Sequence, residues 1–205
     1  MKDDEIKVKI AAVAKQEFLE LGYVDASMRN ISGKAGLTTG SLYNRFKDKA
    51  ELFEYIVGDA VKNVFDKFQS FNAAYSVDDI ASTPNEEEQY QESAMKFIID
   101  TMFDNYDSFD LVINKGIGSP YENFMEKLIA VATENTKNYV FAHKKSIKDP
   151  SVAEDITHLL NVALFDAIAE IFRKHYTKEQ ADFYMMNIFH FYNAGWKAIL
   201  DTAEL

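Results

Sequence analysis

Apolar side chains recur every three or four residues along most of the chain, which is the spacing of amphipathic α-helices. The first such segment covers residues 5–21, and its apolar side consists of Ile6, Ile10, Val13, Ala14, Phe18 and Leu21. Gly22 follows at a position where helices commonly end. No segment alternates with the period of two expected of strands, and the chain has only three prolines and eight glycines. The pattern predicts an all-α protein of about nine helices.

Capping residues and breaks in the periodicity divide the later part of the chain. The apolar spacing predicts longer helices over residues 49–68, 89–106, 119–142, 150–176 and 177 to near the C-terminus, with a short apolar piece at 109–113. Residues 69–88 lose the pattern and include Ser-Thr-Pro-Asn and a run of three glutamates, so we expect a loop there. Ser119 with Glu122, and Thr177 with Gln180, have the residue types of capping boxes at helix starts.

Residues 27–46 have the layout of a helix-turn-helix, with a capped helix, a glycine turn and a short second helix. Ser27 is placed to cap the first helix and Gly36 to end it. Two such helices are locked at a steep angle by apolar residues, here Ile31, Ala35, Leu37 and Leu42. The second helix then presents small, hydroxylated, aromatic and basic side chains, with no carboxylate among them: Thr38, Thr39, Gly40, Ser41, Tyr43, Asn44 and Arg45.

These residue types suit the major groove of DNA. Asparagine and arginine side chains can read adenine and guanine edges. Gly40 lets the backbone approach DNA closely. Ser27 and Lys49 lie at predicted helix N-termini, where backbone amides and a cation favour phosphate.

The segment 10–52 resembles the DNA-binding domain of TetR/AcrR-type transcriptional regulators. The matching marks occur in the family's order and spacing: Phe18, Gly22-Tyr23, Ser27 to Ile31, Ala35 to Leu37, Gly40 to Tyr43, Phe46 and Lys49. The chain departs from the family at Ala26, Gly33, Arg45 and Ala50. Gly33 should weaken the second helix. Arg45 stands where the family commonly has an aromatic residue or histidine. Asn44 and Arg45 therefore make the operator sequence unpredictable by analogy.

The resemblance implies a homodimer that binds a near-palindromic operator in double-stranded DNA and releases it on binding a small-molecule effector, with repression as the default. It implies a helix-turn-helix DNA-binding domain at residues 1–48 and a helical ligand-binding and dimerisation domain at residues 49–205. Ser27, Tyr43 and Lys49 should then position the phosphate backbone. Thr38, Thr39, Gly40, Asn44 and Arg45 should lie against bases, and Ser41 belongs to the same DNA-binding surface.

The aromatic residues of the middle region are candidates for the effector pocket, although aromatic stripes at helical spacing more often form plain core. The candidates are the aromatic residues Phe97, Phe103, Tyr106, Tyr121 and Phe124, together with Thr101. The last two long helices carry more apolar surface than one face of a monomer helix needs, which favours a dimer interface. The interface candidates are Ile156, Leu160, Phe165, Phe189, Tyr192 and Trp196.

Charge is distributed unevenly along the chain. The net charge is −11, yet residues 1–58 hold nine basic and nine acidic side chains. The remaining 147 residues hold thirteen basic and twenty-four acidic side chains, which supply the whole excess. An acidic protein has a lower non-specific affinity for polyanions, but a small local face can still bind DNA.

Other classes of protein find little support in the sequence. The absence of cysteine excludes disulfides and thiolate metal sites, and the four histidines are too far apart to suggest a metal. No nucleophile elbow or phosphate-binding loop occurs, so we expect neither an enzyme nor a cofactor. A charged N-terminus and no long apolar run favour a soluble cytoplasmic protein with no membrane partner. Two alternatives stay open: an all-α small-molecule-binding protein that no longer binds DNA, and a constitutive DNA-binding protein without a ligand.

Overall fold

The computed structural model describes residues 3–74, 84–143 and 147–201. Over these ranges the chain forms nine α-helices and no strand, which confirms the predicted all-α class. The helices are α1 Asp3–Asp25, α2 Met28–Lys34, α3 Thr39–Tyr43, α4 Lys49–Ala74, α5 Pro84–Asp104, α6 Tyr106–Asn114, α7 Phe124–His143, α8 Pro150–Arg173 and α9 Lys178–Asp201.

Several predicted helix ends are confirmed in detail. Gly22 interrupts α1 with a φ of 80°, a conformation that side chains with a Cβ rarely adopt. Asp149 caps α8 by accepting from the backbone N–H of Ser151 at 3.0 Å. The capping box that opens α9 is reciprocal: the Thr177 N–H donates to Gln180 Oε1 at 2.9 Å, and the Gln180 N–H donates to Thr177 Oγ1 at 3.3 Å.

Two predictions about helix ends are wrong. The loop expected over residues 69–88 is shorter, because α4 continues to Ala74 and α5 already begins at Pro84. Residues 75–83 lie outside the described part of the chain. The helix expected to start at Ser119 begins only at Phe124.

The Ser119 box fails for a local reason. The Ser119 hydroxyl accepts from the N–H of Tyr121, two residues on, and so closes a turn instead of capping a helix. Glu122 accepts from the N–H of Gly118 at 2.9 Å, rather than from the N–H of Ser119. Both side chains therefore stabilise the turn that precedes α7.

The chain divides into two compact units. Unit 1 comprises the residues up to Asn63 together with Asn105–Phe124, and unit 2 comprises Val64–Asp104 with the residues from Met125 onward. This division differs from the boundary expected between residues 48 and 49. The difference arises because the first part of α4 and all of α6 belong to the N-terminal unit.

The core of unit 1 is centred on Phe53 of α4, which is fully buried. Its ring packs edge-on against Phe18 of α1, with ring centroids 5.1 Å apart, and against Tyr23, with centroids 5.2 Å apart. Other side chains of this core come from every helix of the unit: Ile10, Ala14, Ile31, Leu42, Phe46, Leu52, Phe109 and Leu111. Residues 49–63 therefore form part of the hydrophobic core that supports the helix-turn-helix.

Helix α6 is joined to α1 by polar contacts at both of its ends. The Lys15 ammonium lies 2.7 Å from the Asp107 carboxylate near the start of α6. The N–H of Tyr23 donates to the carbonyl of Lys115, just beyond the end of α6, at 2.8 Å. The helix that was expected only as a short apolar piece is thus an integral part of unit 1.

Unit 2 has its own core, built mainly on one side of α8. Phe165 and Phe172 are buried there. The Phe165 ring lies 5.7 Å from that of Phe68, and the Phe172 ring lies 5.9 Å from that of Phe103. Helix α9 packs against both α5 and α8.

Candidate nucleic-acid interface

The helix-turn-helix of unit 1 is held together by a buried apolar pair and a tight glycine turn. Ile31 of α2 and Leu42 of α3 are fully buried. Gly36 has a φ of +69°, and the following N–H of Leu37 donates back to the carbonyl of Ser32 at 2.9 Å. Leu37 itself is only half-buried, although the sequence predicts that it fills the core.

Thr38 determines where α3 begins. Its side-chain oxygen accepts from the N–H of Ser41 at 3.1 Å, so Thr38 rather than Thr39 is the N-cap. The Thr39 hydroxyl instead lies 3.4 Å from the hydroxyl of Ser32 on α2. The cap leaves the predicted reading side of α3 open to solvent, with Thr38, Thr39, Gly40, Tyr43 and Asn44 exposed.

Ser27 and Tyr43 are placed as the sequence predicts. Ser27 caps α2, where its hydroxyl accepts from the N–H of Asn30 at 3.5 Å. The Tyr43 side chain is half-exposed at the end of α3. The Ser27 side chain is half-buried.

Arg45 does not extend into solvent. Its Nη1 donates to the carbonyl of Ser41 at 2.8 Å and to the Ser41 hydroxyl at 2.9 Å. Its Nε lies 2.9 Å from the carboxylate of Asp3 at the start of α1. This second contact is an ion pair by distance only, because Nε makes no hydrogen bond. The guanidinium is thus folded back along its own helix.

Lys49 has a structural environment that its sequence position does not suggest. Its ammonium donates to three backbone carbonyls, those of Tyr23, Val24 and Ala26. It also lies over the Tyr23 ring, 4.5 Å from the centroid. Burial lowers the pKa of the Lys49 ammonium, and the nearby charge of Asp25 opposes that effect. A lysine has three N–H donors, so a direct phosphate contact would require Lys49 to give up a carbonyl.

A buried carboxylate behind α2 was missed by the sequence analysis. Glu17 of α1 is fully buried, and the ammonium of Lys34 lies 2.6 Å from its Oε2. The Lys34 ammonium holds the pKa of Glu17 below its ordinary value, against the opposing effect of burial. The available signal was position, because Glu17 lies three residues after Ala14 and next to Phe18 on the apolar side of α1.

The six candidates for an effector pocket fall into two groups. Phe97, Thr101 and Phe103 belong to unit 2, whereas Tyr106, Tyr121 and Phe124 belong to unit 1. Phe124 is buried against Phe109, with ring centroids 6.0 Å apart.

The Tyr121 side chain contacts α4. Its hydroxyl donates to the Glu54 carboxylate, and its ring lies 6.2 Å from that of Phe53. Burial, followed by this carboxylate, raises the pKa of Tyr121. A Cβ at Gly58 would lie 2.7 Å from a Glu54 carboxylate oxygen, so the glycine leaves room for this pair.

An apolar groove in unit 2 lies between α5 and α9 and has a volume of about 150 Å³. Five apolar side chains form most of its wall and three charged side chains lie beside them: Met95, Ile99, Met185, Met186 and Phe189, with Glu92, Lys96 and Asp182. Lys178 pairs with both Asp100 and Asp182 near the start of α9. None of the six predicted pocket residues lines this groove.

The candidate interface residues differ in their exposure. Phe165 and Phe189 are buried in unit 2. Ile156, Leu160, Tyr192 and Trp196 are half-buried. The most exposed large apolar side chains of α8 and α9 are others, namely Val152, Leu159, Phe183 and Phe191.

Metal and membrane sites are not found in the described ranges. Residues 3–74, 84–143 and 147–201 contain no group of three His, Asp or Glu side chains that could hold a metal ion. In the same part of the chain, no helix combines the length and apolar character needed to cross a bilayer.

The geometry defines a class of protein: an all-α chain whose N-terminal unit presents a capped recognition helix without carboxylates. Residues 10–56 match the family described as "Bacterial regulatory proteins, tetR family". Residues 10–56 therefore form a DNA-binding domain of the TetR-family type.

The relatives agree with this assignment. The HTH-type transcriptional repressor BepR of Brucella suis is 38% identical over 56 residues, which cover 27% of this chain and 27% of BepR. The match thus spans about a quarter of that relative's length.

Solved structures resemble nearly the whole chain in fold. A TetR-like transcriptional regulator from Rhodococcus sp. RHA1 has a TM-score of 0.62 at 13% identity, covering 98% of this chain and 100% of its own. NalD, the secondary repressor of the MexAB-OprM multidrug efflux pump in Pseudomonas aeruginosa, has a TM-score of 0.56 at 13% identity, covering 93% of this chain and 96% of its own. At these identities the likeness concerns the fold alone.

Proposed function

We propose that the protein is a cytoplasmic transcriptional repressor that binds a near-palindromic operator as a homodimer and releases it when a small molecule binds. The observation that carries this proposal is the exposed side of α3. It combines hydroxyl, amide and aromatic side chains with no carboxylate, and a capped helix-turn-helix supports it. Such a surface can enter a major groove and read base edges.

The DNA contacts divide by role. Thr38, Thr39, Gly40, Ser41, Asn44 and Arg45 lie against bases, whereas Ser27 and Tyr43 hold the phosphate backbone. Lys49 supports this surface from behind, since its ammonium joins the start of α4 to the carbonyls that precede Ser27.

The dimer forms through α8 and α9. On α8, Val152 and Leu159 lie on the same side as Ile156, at spacings of four and three residues, and both are exposed. On α9, Phe183 and Phe191 are exposed, and a Cβ at Gly195 would meet nothing within 4 Å. Apolar helix faces of this kind are commonly buried against a partner, and we assign this one to a second copy of the chain.

The effector site is the groove between α5 and α9. Its volume of about 150 Å³ is smaller than that of most ligand pockets, so the effector is a small apolar molecule. Three methionines line the groove, and unbranched methionine side chains can rearrange around a guest.

Repression is proposed by analogy with two of the relatives. BepR and NalD are both named as repressors, and the name of NalD connects it with a multidrug efflux pump. For this chain we take over repression only, because the sequence match to BepR is confined to the DNA-binding domain.

Selection of bound duplexes from a random pool, at two salt concentrations, tests the proposal. We expect an inverted repeat and a steep fall in affinity with salt, since each neutralised phosphate releases a counterion. The recovered operator is then used to screen small apolar molecules for release. Recovery of no sequence, with weak binding at both salt concentrations, would contradict the proposal and favour a small-molecule-binding protein that does not use DNA.

A further inference from the structure

Arg45 is the only charged residue in the segment 38–45, which contains α3 and the residues at its two ends. Its side chain is only 16% exposed, because two hydrogen bonds hold Nη1 on Ser41 and the carboxylate of Asp3 lies beside Nε. The first turn of α1 supplies Asp3 together with Asp4 and Glu5. The one positive charge of the reading surface is therefore paired within the protein before any DNA arrives.

We propose that Asp3 is a positioning residue that holds Arg45 back from DNA and so sets how strongly Arg45 contributes to base recognition. This inference rests on the proposed function. A guanidinium that is folded along α3 must leave Ser41 and Asp3 before it can form a bidentate contact with a guanine. Asp3 therefore lowers the affinity for an operator whose sequence Arg45 could read.

The ion pair between Asp3 and Arg45 is weak enough to reduce DNA binding by Arg45 without preventing it. The Asp3 side chain is 62% exposed, and its contact with Arg45 lacks hydrogen-bond geometry. Exposed ion pairs contribute little to stability, so DNA can displace Asp3. Asp3 also lies in the first turn of its helix, where local opening requires little free energy.

The test compares Asp3→Asn with Asp4→Asn on the selected operator and on a scrambled duplex. Both variants remove one negative charge from the same helix turn, so their general electrostatic effects match. We expect Asp3→Asn to bind the operator about 1.4- to 5-fold more tightly than Asp4→Asn does, which is the range that an exposed ion pair allows. On the scrambled duplex the two variants should be alike.

Arg45→Ala provides the second arm of the experiment. In that background, the advantage of Asp3→Asn over Asp4→Asn should disappear, because there is no guanidinium left to release. The conservative Asp3→Glu variant should keep the affinity of the wild type. The preference for particular bases is also measured, because a merely structural role of Asp3 would not change it. Asp3→Asn should increase the preference for one base at a single base pair of each half-site.

The outcomes separate the two proposals. If the wild type binds the operator but both asparagine variants behave alike, or if the advantage persists without Arg45, the role of Asp3 is overturned while the proposed function stands. If the wild type selects no operator, the proposed function fails, and the role of Asp3 fails with it.

Discussion

Lys49 is a residue of the helix-turn-helix motif whose side chain contacts the protein backbone. The resemblance implies that it contacts phosphate, yet its ammonium lies among three carbonyls at the end of α1. These carbonyls directly precede the cap of α2, so the lysine fixes the entry to the helix-turn-helix. The two roles predict different salt dependences of DNA binding for a Lys49 variant. Loss of a structural contact leaves the slope of affinity against salt unchanged, whereas loss of a phosphate contact reduces it.

We expect Lys49→Met to lower the free energy of unfolding by about 1–3 kcal/mol, because the carbonyls lose their donor. Operator affinity should fall for every sequence alike. The slope of affinity against salt should stay unchanged, as measured by fluorescence anisotropy at several salt concentrations. The matched control is Lys47→Met, which changes an exposed lysine two residues away. A slope reduced by about one in Lys49→Met would instead indicate a lost phosphate contact.

Glu17 leads to a prediction about pH. Its pKa in the folded protein lies below the ordinary value of 4.5, chiefly because of Lys34. A lowered folded-state pKa stabilises the fold above 4.5, and this stabilisation is lost as the pH falls through the folded-state pKa. We expect Glu17→Gln to reduce the melting temperature at neutral pH, with a difference from the wild type that shrinks in acid.

Thermal unfolding over a pH series measures this effect. Glu20→Gln is the control, because its carboxylate is more exposed and lies 3.5 Å from the same ammonium. Its effect should be smaller at every pH. A constant difference between Glu17→Gln and the wild type across the series would show that the charge of Glu17 does not contribute.

At the scale of helices, the sequence predicts type and approximate position well, because apolar spacing and caps are local signals. Asp149, Thr177 and Gly22 all mark real helix ends. Ser119 fails because the same residue types also close a turn, and only the backbone around Gly118 decides between the two. The short predicted piece at 109–113 is a full helix, since neighbours far away in the sequence stabilise α6.

The exposed faces of α8 and α9 lead to a prediction about assembly. Leu159 is 65% exposed and lies at the centre of the proposed interface on α8. We expect Leu159→Glu to weaken the dimer by more than about 100-fold, because association would bury an unpaired carboxylate. Sedimentation equilibrium measures the change.

Ile117→Glu is the matched control for the assembly prediction. Ile117 is 75% exposed but belongs to unit 1, outside the proposed interface. It should leave the state of association unchanged. A wild type that sediments as a monomer, or equal behaviour of the two variants, would contradict an interface on α8.

At the scale of the whole molecule, sites formed by one short segment could be predicted and sites assembled from distant segments could not. Residues 27–46 contain their own caps, turn and core contacts, so the pattern alone places Thr38 and Leu42. The groove between α5 and α9 depends on which faces of two distant helices meet, and spacing within either helix does not specify that. The same limit explains why Phe165 and Phe189 appear as interface candidates although both are buried.

Unit 1 is discontinuous, because residues 105–124 complete a fold begun by the first 63 residues. Without them, the Tyr23 N–H would lose the Lys115 carbonyl, and Lys15 would lose Asp107. During synthesis, the recognition helix would emerge from the ribosome long before its supporting partners. A chain truncated after α4 would therefore contain the whole helix-turn-helix but lack residues 105–124, which complete the fold of unit 1. We expect that this fragment does not fold when it is fused to another protein, whereas a fusion that contains both segments folds.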